Sequence, residues 1–509
     1  MNQEFDVIII GGGATGLGVA VESISRGYKT LLLEAYDFGK GTSSKSTKLV
    51  HGGIRYLANL DFELVSEGLD ERFYFLKNAP HIASTQAYLV PFYSFLDKIK
   101  YFLGIKLYDY LAKDKKVGQS KFLSIKETIQ YAPDLDTNGL KGGAIYYDGQ
   151  FDDTRMLITL LQTFKSMGGV AYNYHEVTNF IKDSNNIISG VKVFDKLNQS
   201  NLEFSTNIVI NATGTFTDEL LNLDDLTIKH NNVEAAQGTH LVFEPEIFNS
   251  DCALVIPKTT DGRILFVLPW HGKVVVGTTD IAVSKPVLDP KPRAEEISFI
   301  LDTLNCYTNR QATINDIKSV FTGQRPLVRP KNAKNSAKIS RKHEILYSTS
   351  GLISIVGGKW TIYRKMGEDT INFAINKNLL SKSQSVTKEL KLFAANKNNY
   401  TYPLNVYGDE VNKILEIQKE LSNFDKIHPD LPYFQAEVIY QIRYEMAKTL
   451  EDVLVRRTRA IFLDAKATIN AAILVATLMA TELNLRNSNE WVTKQVEDFK
   501  KTNMKYLMP

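Results

Sequence analysis

The spacing of apolar residues changes period twice within the first 34 positions. "DVIII", Asp6 to Ile10, is an unbroken apolar run of strand length. From about Thr15 to Arg26 the apolar positions take helical spacing, and "TLLL" then runs into Glu34 as a second buried strand. Gly11, Gly13 and Gly16 separate the first strand from the helix. A strand ending in glycine returns twice: "NIVINATG" closes on Thr213 and Gly214, and "LISIVGGKWTIYRKMGEDTINFAI" passes through Gly357, Gly358 and Lys359 into a helix. Ahead of the first return, a helix near Met156 to Ser166 precedes a strand and a β-meander containing Val177.

This pattern predicts an α/β domain that is interrupted and resumed, over residues 1–75, 145–220 and 345–385, with a second domain inserted over 76–144 and 221–344. From about Ala394 helical spacing dominates, so 394–509 reads as a helical cap. There "QAEVIYQIRYEMAKTLEDVLVRR" has sustained helical spacing, with Arg456 and Arg457 expected on a solvated face and a reach to the active site as the alternative. Residues 95–116, "FLDKIKYFLGIKLYDYLAKDKK", predict a helix with one stripe of Leu96, Ile99, Leu103, Leu107 and Tyr110. Tyr101, Phe102, Ile105 and Tyr108 are left over for a second apolar surface. Six lysines against three aspartates in this segment argue against deep burial and suit an anionic lipid surface.

Composition narrows the classes. A chain of 509 residues suits two or three domains, and 60 Lys+Arg against 57 Asp+Glu leaves a formal +3, too little to argue for a nucleic-acid partner. Cys252 and Cys306 stand far apart with no metal-like spacing, which predicts a reduced cytosolic compartment, no disulfide framework and no metal. Nothing like a signal peptide precedes "FDVIII", and the longest apolar run, "AAILVATLMA", is far short of the ~20 residues that span a bilayer. The expectation is a cytoplasmic protein that does not cross a membrane.

The chemistry concentrates in a few motifs. Gly11, Gly13 and Gly16 form G-x-G-x-x-G between strand and helix, where missing side chains let a diphosphate approach the helix N-terminus. Glu34, at the end of the second strand, is placed to accept from an adenosine ribose. The interrupted plan points to FAD rather than NAD, and the helix after Gly358, Lys359 and Thr361 can aim its N-terminus at a flavin ring. "GTSSKSTK" and "VHGGIRYL" follow one another, Gly41 to Lys48 and Val50 to Leu57. The hydroxyls of Thr42, Ser43 and Ser44 suit the FAD diphosphate and ribityl chain, Gly52 and Gly53 let backbone lie against the ring, and His51 and Arg55 are left for substrate.

"IIGGGATGLG", "TSSKSTKLVHGGIRYL", "VSEGL", "GTTD", "GQRPL", "GGKWTIYR" and "DVLVRRTRAIFLD" resemble, in order and over most of the chain, the FAD-dependent, quinone-linked glycerol-3-phosphate dehydrogenase family. The resemblance implies a Rossmann-like FAD domain of the D-amino-acid oxidase and glutathione reductase type, an inserted antiparallel-sheet substrate domain and a helical C-terminal cap. It implies oxidation of sn-glycerol 3-phosphate to dihydroxyacetone phosphate, with electrons passed to membrane quinone from the inner face of the cytoplasmic membrane, and a homodimer. Arg55, Tyr56, Thr278, Arg325, Arg341 and Lys359 are then candidates for holding substrate, arginine because its planar fork binds phosphate bidentately. His51 is expected as general base, kept neutral by the arginines, or as an orienting group, with Arg325 sharing the catalytic role. Two alternatives stay open: an oxidase that uses oxygen and releases hydrogen peroxide, and a non-enzymatic or RNA-associated flavin-fold protein.

Overall fold

The structure, a computed structural model, describes residues 3–329 and 342–508; Arg341 lies outside the described residues, as does the side chain of Arg55. The apolar runs of the first 34 residues form adjacent parallel strands, Val7–Ile10 and Thr30–Leu33, joined by α1, Ala14–Ser25. Val209–Asn211 and Ile353–Gly357 extend the sheet on one side and Val170–Tyr172 on the other, all parallel, while His343–Tyr347 closes one edge antiparallel. Five strands from three separated stretches of chain thus share one sheet, each ending toward the same rim. Helix α1 packs against Tyr363–Asn376 at a crossing of two glycines, where a Cβ on Gly18 would stand 2.6 Å from the Tyr363 carbonyl and one on Gly367 2.5 Å from that of Gly18. The meander expected around Val177 forms a separate four-stranded sheet.

The inserted part is a ten-stranded sheet, antiparallel except where Ala253–Ile256 runs parallel to Ala83–Phe92. Helix α2, Phe62–Asn78, and α3, Phe95–Ala112, cover part of it. Burial on α3 follows neither apolar surface as a whole, since Phe102 of the leftover set is 44% exposed. Ile105 and Tyr108, assigned to the leftover surface, are 1% and 2% exposed, whereas Leu96, Leu103 and Tyr110 of the regular stripe are 77%, 62% and 76% exposed. Tyr108 goes inward because its hydroxyl meets a buried carboxylate, Asp148.

The C-terminal region is helical, but the sustained spacing does not make one helix. The helix from Gln435 stops at Tyr444, and after a break a π-helical turn spans Asp452–Arg457. Glu445 lies in that break, its carboxylate paired with Arg155. Arg456 and Arg457 are buried, not solvated. Arg457 grips both oxygens of Asp37 at 2.6 and 2.9 Å, and Arg456 reaches Asp37, Glu451 and Asp452. Asp37 lies three residues beyond Glu34, so the helical region docks on the loop that would meet an adenosine ribose. Buried charges cost desolvation and persist only when paired. Here the pairing specifies the seat of one region on the other.

Burial alone would raise the Asp37 pKa, but Arg457 and Arg456 outweigh it and hold the carboxyl at about 2. A carboxylate depressed on folding stabilises the protein above its unfolded pKa of about 4, and that contribution disappears as pH falls toward about 2. Asp37→Ala strands two buried arginines and is expected to cost about 3–5 kcal/mol in denaturant unfolding. The deficit relative to the parent should shrink on acidification from about pH 4 to about pH 2.

Candidate active site

A cavity of about 1570 Å³ opens along the rim where the parallel strands end and runs to the inserted sheet and α3. Its nucleotide end is made of Gly11, Gly13, Ala14, Glu34, Val177, Thr213 and Gly214. Gly11 has φ +109, and a Cβ on Gly16 would stand 1.8 Å from the Gly11 carbonyl oxygen. Gly16 therefore lets helix pack on strand and does not line the cavity itself. Gly13 offers no side chain to cap α1 and the first turn holds no acidic residue, so apart from a Ser43 hydroxyl on the Ala14 N–H that end is electrostatically open to an anion. Glu34 accepts from the N–H groups of Gly12 at 2.6 Å and Tyr36 at 2.9 Å. Both contacts aim the carboxylate, whose pKa burial raises, at the cavity.

The hydroxyl-rich segment divides its labour differently from the expectation. Ser43 Oγ accepts from the Ala14 N–H at 2.9 Å, and the Trp360 indole donates to the Ser43 carbonyl at 2.8 Å. The Thr42 hydroxyl donates to the Gln324 carbonyl at 2.6 Å. Thr42 and Ser43 line the cavity, but Ser44 is buried away from it. Lys48 is wholly buried, with Nζ 2.5 Å from Asp153 and 3.1 Å from the Ser44 carbonyl, among the rings of Trp270, Phe321 and Phe462. Burial lowers its pKa to about 8 against the pull of Asp153.

His51, Gly53, Tyr56, Thr278, Arg325, Gly358, Lys359 and Thr361 all line the same cavity. Gly52 does not. A Cβ there would meet Leu69 and the Tyr108 hydroxyl at 2.6 Å, so its missing side chain admits α2 and α3 rather than a flavin. The His51 N–H donates to Thr361 Oγ1 at 3.3 Å. Lys359 Nζ stands 4.3 Å from the centre of the Tyr56 ring, which gives the ammonium a fixed place. Arg325 donates to Asp280 and Thr278, each at 3.1 Å, and to the Thr279 carbonyl, and these contacts fix the plane of its guanidinium.

His240 was missed in the sequence because a lone histidine within the apolar strand "GTHLVF" reads as core. It lines the cavity, stacks on Phe321 and bonds Thr47 Oγ1 through Nε2 at 3.0 Å. Burial first, then Lys48 and Arg325, push its pKa well below the ordinary value, so this imidazole is neutral.

The cavity joins a glycine turn, an open helix N-terminus and a ribose-type carboxylate to the imidazoles of His51 and His240 and to cations that include Arg325 and Lys359. These features fit FAD. Fold and cavity define an FAD-dependent oxidoreductase, and residues 6–364 match the family model for FAD dependent oxidoreductases. Residues 352–490 match the C-terminal domain of alpha-glycerophosphate oxidase. The chain is 36% identical to a probable mitochondrial glycerol-3-phosphate dehydrogenase of Dictyostelium discoideum, over 99% of this chain and 85% of that one. It is 36% identical to the mitochondrial glycerol-3-phosphate dehydrogenase of Rattus norvegicus, over 96% and 72%. Among solved structures, the glycerol-3-phosphate dehydrogenase of Bacillus halodurans complexed with FAD superposes with a TM-score of 0.80 at 28% identity, covering 99% of this chain and 96% of that one. The chain belongs to the glycerol-3-phosphate dehydrogenase family.

Removing the Glu34 carboxylate should weaken cofactor binding without touching the reacting end. With about 1.5–3 kcal/mol per hydrogen bond to a charged group, Glu34→Ala is expected to bind FAD roughly 10-fold to 100-fold more weakly. Fluorescence titration of FAD into apoprotein measures it.

Proposed function

We propose that this chain oxidises sn-glycerol 3-phosphate to dihydroxyacetone phosphate and passes the electrons to a membrane quinone. The observation that carries the reading is the joining, in one cavity, of the FAD cradle to Arg325, Lys359 and His51. When bound, FAD supplies the hydride acceptor. Arg325 and Lys359 present fixed positive charge to the phosphate dianion, Arg325 through a planar fork and Lys359 as a point charge over Tyr56. His51 takes the hydroxyl proton as the carbon gives up its hydride, so the C–H and O–H bonds of the alcohol are both broken and a ketone is left. Thr361 holds the backbone from which His51 projects. The oxidase reading differs only in the final electron acceptor.

The exposed stripe of α3 supports a place on the inner face of the cytoplasmic membrane. Leu96, Leu103 and Tyr110 stand out from the surface on a helix with lysines alongside. No helix among the described residues is long and apolar enough to cross a bilayer. Leu103 and Leu107 also line the cavity, so the same helix borders both the proposed lipid face and the proposed site of oxidation. That placement suits an acceptor delivered from lipid.

Anaerobic addition of sn-glycerol 3-phosphate should bleach the flavin absorbance, with rapid recovery on a soluble quinone and slow recovery on oxygen. Fast reoxidation with peroxide would replace quinone by oxygen as acceptor. His51→Ala is expected to slow flavin reduction by about 10²-fold to 10⁴-fold with little change in substrate affinity. Flotation with anionic liposomes checks the lipid face: Leu96→Ser, Leu103→Ser and Tyr110→Ser together should leave the protein at the bottom of the gradient.

A further inference from the structure

The segment that carries His51 is held by a buried polar cluster of Tyr108, Asp148 and Arg72, of which Asp148 borders the cavity. The Gly52 N–H donates to the Tyr108 hydroxyl oxygen at 2.9 Å and, at the longer distance of 3.4 Å, to Asp148 Oδ1, while the single proton of the Tyr108 hydroxyl is shared between the Asp148 oxygens at 2.9 and 2.7 Å. Arg72 on α2 donates to Asp148 at 2.8 Å and to the Lys115 carbonyl, just past the end of α3, at 3.0 Å. Tyr108, Asp148 and Arg72 are all buried. Burial and the neighbouring Asp148 raise the Tyr108 pKa well above the ordinary value, so the phenol keeps its proton and has its oxygen lone pair left for Gly52.

The contact is built for closeness. A Cβ on Gly52 would strike the Tyr108 hydroxyl, and one on Gly68 of α2 would stand 2.8 Å from the Gly52 carbonyl. Gly53 then takes a left-handed φ of +82 as the chain turns into Ile54–Asn59. Successive N–H groups are thus fixed by two hydroxyls from different parts of the fold: that of His51 by Thr361, beside the flavin-facing glycines, and that of Gly52 by Tyr108. Two adjacent peptide planes pinned in this way set the direction in which His51 leaves the backbone.

We propose that Tyr108 is a positioning residue for the oxidation, holding the His51–Gly53 backbone through its hydroxyl and tying the seat of α3 to the geometry of the reacting site. Tyr108 does not line the cavity and acts through Gly52. Loss of its hydroxyl leaves the ring, and with it the edge-on packing against Tyr146, in place. The proposal rests on the reaction proposed above but needs no membrane, since every contact in it lies inside the protein.

The test is Tyr108→Phe in the FAD-loaded enzyme, read by stopped-flow flavin reduction with sn-glycerol 3-phosphate under anaerobic conditions. The limiting rate should fall roughly 10-fold to 100-fold, the cost of a small misplacement of a reacting group, with half-saturation nearly unchanged and flavin content retained. A variant that reduces its flavin at the parental rate overturns the proposal, and so does one that changes only half-saturation or only melting temperature. If the parent itself is not reduced by this substrate, the reaction assignment fails instead, so the two failures are distinct. Asp148→Asn gives a second measurement should Tyr108→Phe not fold. Its amide still accepts from the phenol but no longer carries the charge facing Arg72; because Asp148 also borders the cavity, a smaller fall in limiting rate supports the proposal only with half-saturation unchanged, and a parental rate or a change in half-saturation counts against it.

Discussion

A lysine ammonium taken wholly out of water is tolerable only beside a carboxylate, and the active-site segment is arranged around one such pair. Lys48 and Asp153 are both fully buried. Asp153 also accepts from the Ser46 N–H and hydroxyl and from Arg459 of the C-terminal region. Arg459 in turn donates to the Ser44 carbonyl, so the run from Ser44 to Lys48 is fastened to a helix of the nucleotide-binding part and to the helical region together. The next stretch of chain, His51 to Tyr56, inherits its position from that anchorage. Such a cluster adds little net stability, because desolvation offsets attraction, but it admits few alternative arrangements.

The same logic recurs at Asp37, where two arginines from a π-helical turn meet the loop beyond Glu34. Each end of the cofactor cradle therefore has a charged bolt to the helical region behind it: one behind the adenosine end, one behind the hydroxyl-rich run. The region described by similarity as a C-terminal domain is a structural part of the cofactor site even where it contributes no lining residue.

Features legible in the sequence were those that depend on local spacing. Gly11, Gly13, Gly16 and Glu34 declare the nucleotide unit because turn, helix and second strand must come within one short stretch. His51, Tyr56, Arg325 and Lys359 came from motifs and do meet in one cavity. Features that were not legible depend on partners distant in the chain. Arg456 and Arg457 look like a solvated helix face until Asp37 is seen opposite them, and Tyr108 looks like a spare apolar position until Asp148 and Gly52 are seen around it. The role of Gly52 was misread for the same reason: its neighbours on α2 and α3 are invisible in the local sequence. The periodicity of α3 marked two apolar surfaces but not which of their positions face outward, since a polar hydroxyl decided the matter.

Helix α3 also occupies a particular place in the topology. The strand before it ends at Phe92, the long strand after it begins at Gly142, and these two residues are register partners in one antiparallel pair. The stretch between them carries α3 and a short strand, Lys121–Leu123, which pairs with the same long strand, so the pairing of the two long strands does not depend on α3 itself. The outward side of α3, at Leu96 and Tyr110, can therefore change with that pair kept in register, while Ile105 and Tyr108 on its inner side are held by the core. One helix thus joins an outer side open to substitution along a lineage to an inner side that the cavity and the core keep fixed.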